Sequence, residues 1–441
     1  MVLSQSGAEA PLRVGVAGLG TVGAGVVDVL QRNGALIAAR AGRAVKLTAV
    51  AERDQSRIAG LDLTGVAVLD DALKLAASAE IDVFVEVIGG ADGIAKASVE
   101  AALKAGKDIV TANKAMLAKH GTALATLAES NGRTLSYEAA VAGGIPIIRG
   151  LREGLPANRV REVHGILNGT CNYILSTMRT TGRAFGDVLA EAQRLGYAEA
   201  DPAFDIDGID AAHKTALLAA LAFGTKVDFG GVFIEGIRNV SALDVEYAEA
   251  LGYRIKLLGI VRQVDNGGSF AIEQRVHPCM VPIDSAIAAV EGVFNAVIVD
   301  GDAVDKVLMT GRGAGAGPTA SSVVADLVAL ARGQRLPTFG VPAAELAEAR
   351  TVSIEDRKGA YYLRLMVMDQ PGVIADVTSI LRDCGVSLEA MMQRRHDPDK
   401  PVPVVLTTHA TIERSMRKAV AAIGALKAVA EPPALIRIES F

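Results

Sequence analysis

Apolar positions along this chain switch between a period of two and a period of about 3.6, and the switches mark its elements. From residue 12, LRVGVAGLGTVG runs as a short valine-rich strand into glycines. Val22, Val26, Val27 and Leu30 then recur at helical spacing up to Asn33 and Gly34. Strand-like runs (VKLTAVAERD, IDVFVEVIGG, KDIVTANK, RTLSYEAAV) alternate with helical ones over 95–105 and 115–129. That alternation predicts an α/β domain with a parallel, doubly wound sheet of Rossmann type, which takes its ligands at the carboxyl ends of the strands.

Past residue 150 the pattern changes to strands separated by longer helices and loops. VREVHGILNGTCNYILSTM passes from a strand into a helix that starts at Asn168-Gly169-Thr170, and strand-rich stretches over 256–263, 270–282 and 295–310 predict an α+β domain with a mixed sheet able to pair subunits. GRGAGAGPTASSVVADLVAL is glycine-rich and then helical, with Pro318 at the helix start; its loop, Gly315 included, is expected to close over a cofactor in the first domain, the alternative being a tight re-entry into that domain. The prolines and charges over 336–358 read as a linker. The remainder, from YYLRLMVMDQPGVIADV onward, spells β-α-β-β-α-β, with Pro371-Gly372 opening its first helix where backbone can meet a small ligand. Met391 and Met392 read there as core or interface residues. The expected domains are therefore 1–148, completed by 311–335; 149–310 for substrate, catalysis and dimerisation; and 359–441 after the linker.

Length and composition narrow the function. With 441 residues, half of them hydrophobic, the chain has material for about three domains. A net charge of −5 without a basic run argues against nucleic acid or an anionic membrane surface as partner. Cys171, Cys279 and Cys384 are widely spaced, which argues against a disulfide framework or a zinc site and for a reducing compartment. The polar start, MVLSQSGAEAPLR, lacks the form of a targeting signal, so a soluble cytoplasmic protein is expected.

Gly18, Gly20 and Gly23 stand at G-x-G-x-x-G spacing between a strand and a helix, and a second strand follows at the distance a dinucleotide-binding unit needs. Gly18 permits the tight turn, Gly20 admits a pyrophosphate to the backbone, and Gly23 lets helix and strand pack closely. The backbone of this stretch, with Leu19, Thr21 and Val22 between the glycines, is expected to hold the phosphates at the helix start. At the end of the second strand Glu52 and Arg53 pull in opposite directions. An acid there accepts the ribose 2′-hydroxyl of NAD, whereas an arginine accommodates the 2′-phosphate of NADP; NADP is expected, with NAD as the alternative. Gly89, Gly90, Thr111, Asn113 and Lys114 all fall at carboxyl ends of predicted strands, which puts Lys114 over the cofactor crevice.

Residues 196–214, GYAEADPAFDIDGIDAAHK, crowd five acids and one lysine into a loop and the start of a helix. Asp207 reads as the N-cap of that helix. Asp210 and Lys214 then lie four apart on one face. In the plain reading this is a cap and an i,i+4 ion pair. In the sharper one Glu199 and Asp210 hold a substrate ammonium while Lys214 exchanges a proton with a substrate oxygen. His164 and His213 have no spaced partner and read as structural. In YEAAVAGGIPII, Glu138 and outward carbonyls form a weak oxygen-only pattern for a hard cation.

TANK at 111–114, GILNGTCNYIL at 165–175, the acid-rich loop and GRGAGAGPTA together make the chain, from about Arg13 onward, resemble homoserine dehydrogenases that carry a C-terminal ACT domain. The resemblance implies reversible hydride transfer between NAD(P)H and L-aspartate 4-semialdehyde, giving L-homoserine, in threonine, methionine and isoleucine biosynthesis. It implies Lys214 as proton donor and acceptor, with Lys114 beside it between nicotinamide and substrate. Glu199 and Asp210 would bind the amino acid, with Asp205 and Gly196 completing that set. A structural sodium ion held by Glu138 and the carbonyls of Val141, Gly143 and Ile145 is implied too, as are threonine acting as effector at the ACT domain and assembly as a homodimer or homotetramer. The rival readings are a non-catalytic sensor of NAD(P)H and an amino acid, or a reductase of another small semialdehyde; neither accounts for two lysines in one substrate space together with these motifs.

Overall fold

The computed structural model describes residues 10–441 except 267–268, 395–396 and 398–399; residues 1–9, most of the polar start, lie outside them. Six parallel strands form the first sheet: β1 (Leu12–Ala17), β2 (Val45–Ala51), β3 (Ala67–Leu69), β4 (Val83–Glu86), β5 (Asp108–Thr111) and β6 (Leu135–Ser136), in the order β3-β2-β1-β4-β5-β6. Val14, Val16, Val83, Phe84 and Val85 are fully buried, as strands covered by helices on both faces require. The order reverses between β1 and β4, which opens a crevice at their carboxyl ends. The helix Ala316–Ala331 returns from the far end of the second domain to pack on the helix Thr21–Arg32, sharing the core of Val26, Val27, Val323 and Leu327. Gly25 makes this approach possible, since a Cβ there would fall 2.7 Å from the Ala316 carbonyl.

A second, mixed sheet of eleven strands carries the rest. Its spine comprises β7 (Val160–Ile166), β9 (Tyr253–Asn266), β10 (Ser269–Pro282), β11 (Phe294–Gly301) and β12 (Asp305–Arg312), joined by the C-terminal strands β13 (Lys358–Met368), β14 (Leu388–Gln393), β15 (Pro401–Thr408) and β17 (Ala434–Ile438). The short β8 (Phe233–Ile234) and β16 (Thr411–Ile412) pair at its side. The helix Ile209–Phe223 lies on this sheet, apolar almost all round; fully burying one of its leucines, such as Leu217, contributes about 1.5–3 kcal/mol.

The C-terminal βαββαβ unit continues the second sheet: β17 pairs in parallel with β10 at Cys279↔Arg437 and Met280↔Ile438. Residues 336–358 are not a loose linker. Phe339 is buried beside Tyr137, and the Thr351 hydroxyl donates to Asp228 Oδ2 at 2.9 Å.

Two local expectations need correction. The Ile209–Phe223 helix is preceded by Gly208 in the left-handed region, φ +86°, and Asp207 does not cap it but pairs with Arg238. A glycine meets the backbone turn there at less cost than an aspartate would, which frees Asp207 for the ion pair. RTLSYEAAV contributes only a two-residue strand, because the chain turns at Glu138–Ala140 into a short 3-10 segment. After Asn33 the chain enters a second helix, Gly34–Ala41. Of the two methionines, Met391 is exposed and Met392 packs against the large core.

Candidate active site

A cavity of about 550 Å³ opens where the crevice of the first sheet faces the Ile209–Phe223 helix, and Lys114, Asp205, Asp210, Lys214, Glu199 and Gly315 are among the residues lining it. The i,i+4 pair is formed: Lys214 Nζ donates to Asp210 Oδ2 at 2.7 Å and to the Leu167 carbonyl at 2.7 Å. Both side chains are buried, and an ammonium carries three donors, so one N–H of Lys214 is left for the cavity. Lys114, at the start of the helix Lys114–Ser130, brings its Nζ to 3.2 Å from the other oxygen, Asp210 Oδ1. One carboxylate thus holds two ammonium groups that arrive from different domains.

Asn168 fixes the carboxylates. It is the N-cap of the helix Gly169–Thr181, its Oδ1 accepting from the Cys171 N–H, while its Nδ2 donates to Asp205 Oδ1 and Asp210 Oδ2, both at 2.8 Å. Burial pushes the Asp210 carboxyl upward, but Lys214, then Lys114, and the hydrogen bonds of Lys214 and Asn168 outweigh it and hold Asp210 well below the usual carboxylate range. Asp205 goes the other way, raised by burial and by the Asp210 charge. Glu199 and Gly196 line the cavity on its exposed side. Cys171 is buried with its thiol pushed up by burial, which removes it as a nucleophile. His213 packs between Phe204 and Phe229, its pKa lowered by burial and then by Lys114. His164 is buried too, stacked on Phe441.

On the cofactor side, Gly18 takes φ +93° and a Cβ on Gly23 would fall 1.9 Å from the Gly18 carbonyl, so both glycines are required by the turn. The Thr21–Arg32 helix has Gly20 before it and no side-chain cap, which leaves its first N–H groups for an anion. Val22 and Gly315 line the large cavity, whereas Gly18 and Arg53 line a shallower one of about 180 Å³ beside it. Glu52 is turned inward: Oε2 accepts from the Leu19 N–H at 2.7 Å, and Oε1 from the N–H groups of Arg53 and Asp54. Arg57 lines the shallow cavity with Arg53, and its Nη1 lies 3.7 Å from where a Cβ on Gly20 would be.

Glu86, at the end of β4, gathers the loops at the carboxyl end of the first sheet. Its carboxylate accepts from the N–H groups of Ile88 and Gly89 and from the Thr111 hydroxyl, and Asn113 Nδ2 donates to the Gly90 carbonyl. Thr111 is fully buried in this network and does not line the cavity, so it shapes the TANK loop from below.

Glu138 is buried as well. Its oxygens accept from the N–H groups of Ile148 and Arg149, both at 2.9 Å, and its pKa is pushed up to about 7 by burial and by Asp326. The Gly143 carbonyl accepts from Ser322, and the Ile145 carbonyl from the Ile147 N–H. Each of these oxygens keeps a second lone pair. The oxygen donors are of the kind a sodium ion takes, while the charges of Glu138 and Asp326 are already met in part by Arg149, 3.7 Å from Glu138 Oε2 and 2.9 Å from Asp326 Oδ1.

Comparison with known proteins decides the family. Family models match residues 18–138 (homoserine dehydrogenase, NAD binding domain), 146–328 (homoserine dehydrogenase) and 361–428 (ACT domain). The chain is 47% identical over 438 residues to a homoserine dehydrogenase of Pseudomonas aeruginosa, covering 98% of this chain and 99% of that one, and 44% identical over 437 residues to that of Neisseria gonorrhoeae, again with 98% and 99% covered. The chain belongs to the homoserine dehydrogenase family. It is an NAD(P)-dependent oxidoreductase whose C-terminal unit is an ACT domain. A crystal structure of a homoserine dehydrogenase from Thiobacillus denitrificans superposes with a TM-score of 0.91 at 47% identity, covering 98% of this chain and 99% of that one.

The two lysines and the acids singled out in the sequence line one cavity, while the groups that orient them carry no such signal. Asn168 stands before Gly-Thr at a helix start, where its type is a capping signal, and it caps that helix. Arg57 needed the one-turn helix Gln55–Ile58 to bring it back to Gly20, and Glu86 was an unremarked acid at a strand end.

Proposed function

We propose that the cavity interconverts L-aspartate 4-semialdehyde and L-homoserine with NADP(H), and that Lys214 moves the proton. The observation that carries this is the Asp210 carboxylate holding Lys214 and Lys114 together over one cavity. The nicotinamide, when bound, supplies or accepts the hydride. In the reducing direction Lys214 gives a proton to the oxygen of the former carbonyl, which leaves it as an amine to be reprotonated from the cavity. Lys114 adds a second positive charge where the alkoxide develops. Glu199, Asp205 and Asp210 offer carboxylates to the substrate ammonium, with Gly196 beside them. Gly18, Leu19, Gly20, Thr21, Val22 and Gly23 would bind the pyrophosphate, and Gly89, Gly90 and Gly315 would border the nicotinamide.

NADP is favoured over NAD because Glu52 is already committed to backbone N–H groups while the guanidinium groups of Arg53 and Arg57 flank the position a 2′-phosphate would take. Glu138 with the carbonyls of Val141, Gly143 and Ile145 would hold a structural sodium ion. Threonine is the proposed effector at the ACT domain. A homodimer or homotetramer is the proposed assembly, and the edge strand β12, with Leu308 exposed, supports pairing through the mixed sheet. Among the described residues no helix is long and apolar enough to cross a membrane, in keeping with a cytoplasmic enzyme.

The test is NAD(P)H absorbance with purified protein and homoserine, comparing NADP with NAD, each with and without threonine. Faster reduction of NADP, slowed by threonine, is expected. Protein that binds NADPH yet reduces neither cofactor would end the homoserine reading, and indifference to threonine would remove only the effector.

A further inference from the structure

Glu86 is a buried acid that the proton transfer does not use. It ends β4, is 0% exposed, and among the described residues no cation pairs with it. Burial pushes its carboxyl upward, and its hydrogen bonds only partly offset that. Oε1 accepts from the Ile88 N–H at 2.9 Å and the Gly89 N–H at 3.1 Å, and Oε2 from the Thr111 hydroxyl at 2.5 Å. Stability alone gives no reason for an acid there. β4 and β5 already pair in register at Glu86↔Thr111, and an apolar pair of matching shape in such a place is about as stable.

These bonds lead to Lys114. Thr111 Oγ1, having given its proton to Glu86, accepts from the Asn113 N–H at 3.0 Å. Asn113 is then engaged at every polar atom. Its Oδ1 caps the helix Lys114–Ser130 by accepting from the Met116 N–H at 3.0 Å, its Nδ2 donates to the Gly90 carbonyl at 2.7 Å, and its own carbonyl accepts from the Leu117 N–H. Gly89 and Gly90, at φ +88° and +85°, bring no side chains to fix their own turn, and Glu86 and Asn113 hold its N–H and carbonyl groups instead. Lys114 is the first residue of the capped helix, and its ammonium crosses to Asp210 Oδ1 of the other domain, 3.2 Å away. Besides Asp210 the side chain meets the Phe204 ring, 5.8 Å from Nζ, and 31% of it is exposed. Where its charge stands therefore depends on the helix start that carries it.

We propose that Glu86, acting through Thr111 and Asn113, is a positioning residue for Lys114. It locks together the ends of β4 and β5, so that the helix start carrying the ammonium keeps one register with the Gly89-Gly90 loop. The charge that meets the forming alkoxide is then set by the first domain before a substrate arrives. An acid suits this task because a carboxylate accepts at both oxygens, which joins a backbone turn on one side to a side-chain hydroxyl on the other. This inference rests on the homoserine reading above and adds to it the groups that aim Lys114.

The test is a double-mutant cycle on the full chain with NADP and L-homoserine, read as kcat and as the unfolding midpoint of each protein. Wild type is measured first, and its inactivity would overturn the underlying reading and this inference together; every later outcome bears on this inference alone. With wild type active, Lys114→Ala should lower kcat about 100-fold, and Thr111→Val, which keeps the shape and removes the hydroxyl link, about 10-fold. Thr111→Ser, which returns the hydroxyl, should recover most of that loss. In the Lys114→Ala background Thr111→Val should cost kcat nothing further, because no ammonium is left to aim, while its effect on the midpoint persists. A link that is merely structural lowers kcat by the same factor in both backgrounds, and that result, or a wild-type kcat in either single variant, would sink the proposal. Should Thr111→Val not fold, Asn113→Ser, which keeps a capping oxygen and drops the bond to Gly90, takes its place in the cycle.

Discussion

The Asp210 cluster and the arginine cluster around Glu439 are made of the same kinds of groups, both buried, and they do opposite things. In the first, two lysines and two aspartates open on a cavity. In the second, Arg275 from β10 and Arg357 from just before β13 both reach Glu439 Oε1, at 2.7 and 2.6 Å, while Arg437 of β17 joins Glu413 at 2.5 Å and Glu235 at 2.8 Å. Every one of these arginines is 3% exposed or less, and none lines the active-site cavity. Charge facing a cavity can be lent to a substrate, because the substrate replaces the water it lost. Charge sealed between two domains has no ligand to meet, and here it joins the ACT domain to the catalytic sheet beside the β10–β17 pairing.

The sharpest way to break this contrast is Lys214→Ala. Turnover should fall about 10²- to 10⁴-fold, the usual contribution of a positioned acid or base, while the thermal midpoint falls less than in the sealed cluster because Lys114 and Asn168 still hold Asp210; stopped-flow and calorimetry on one preparation would measure both, and near-normal turnover would remove Lys214 from the chemistry. Glu439→Ala should do the reverse. Removing one partner of a buried ion pair costs about 3–5 kcal/mol, so the unfolding midpoint should drop by several degrees while kcat, read well below it, stays within a few-fold of wild type. A variant as stable as the parent would mean the sealed cluster is not what joins the domains.

Glu162, on β7, gives the smallest effect and a pH signature. Burial raises its pKa, but the His164 hydrogen bond and the Arg262 charge outweigh that and lower it to about 2 from an unfolded value of 4.5. A depressed carboxyl stabilises the fold fully above its unfolded pKa and loses that contribution as pH falls through the folded one, so up to about 3 kcal/mol should disappear between pH 4.5 and 2. Denaturant titrations of wild type and Glu162→Gln across that window should converge toward acid; parallel curves would show that Glu162 is not coupled to folding.

Much of the site could be read from residue spacing, because its parts are local. Asp210 and Lys214 share a helix face by their four-residue separation, and the glycines of 18–23 meet the turn and the packing their spacing requires. Asn113 and Lys114 sit at the carboxyl end of a strand whose apolar run is plain. Misreadings were local as well: Asp207 and Gly208 both suit a helix start, and only the turn angle chose between them.

What the sequence determined by itself is the set of elements and the chemistry each can carry, since helix faces, strand ends and caps follow from neighbours within a few residues. Tertiary structure alone decided which of those chemistries meet. Asp210 reaches Lys114, 96 residues earlier by their numbering, and Arg275 reaches Glu439, 164 residues later. Such pairings depend on how whole sheets are stacked, and no local pattern records them.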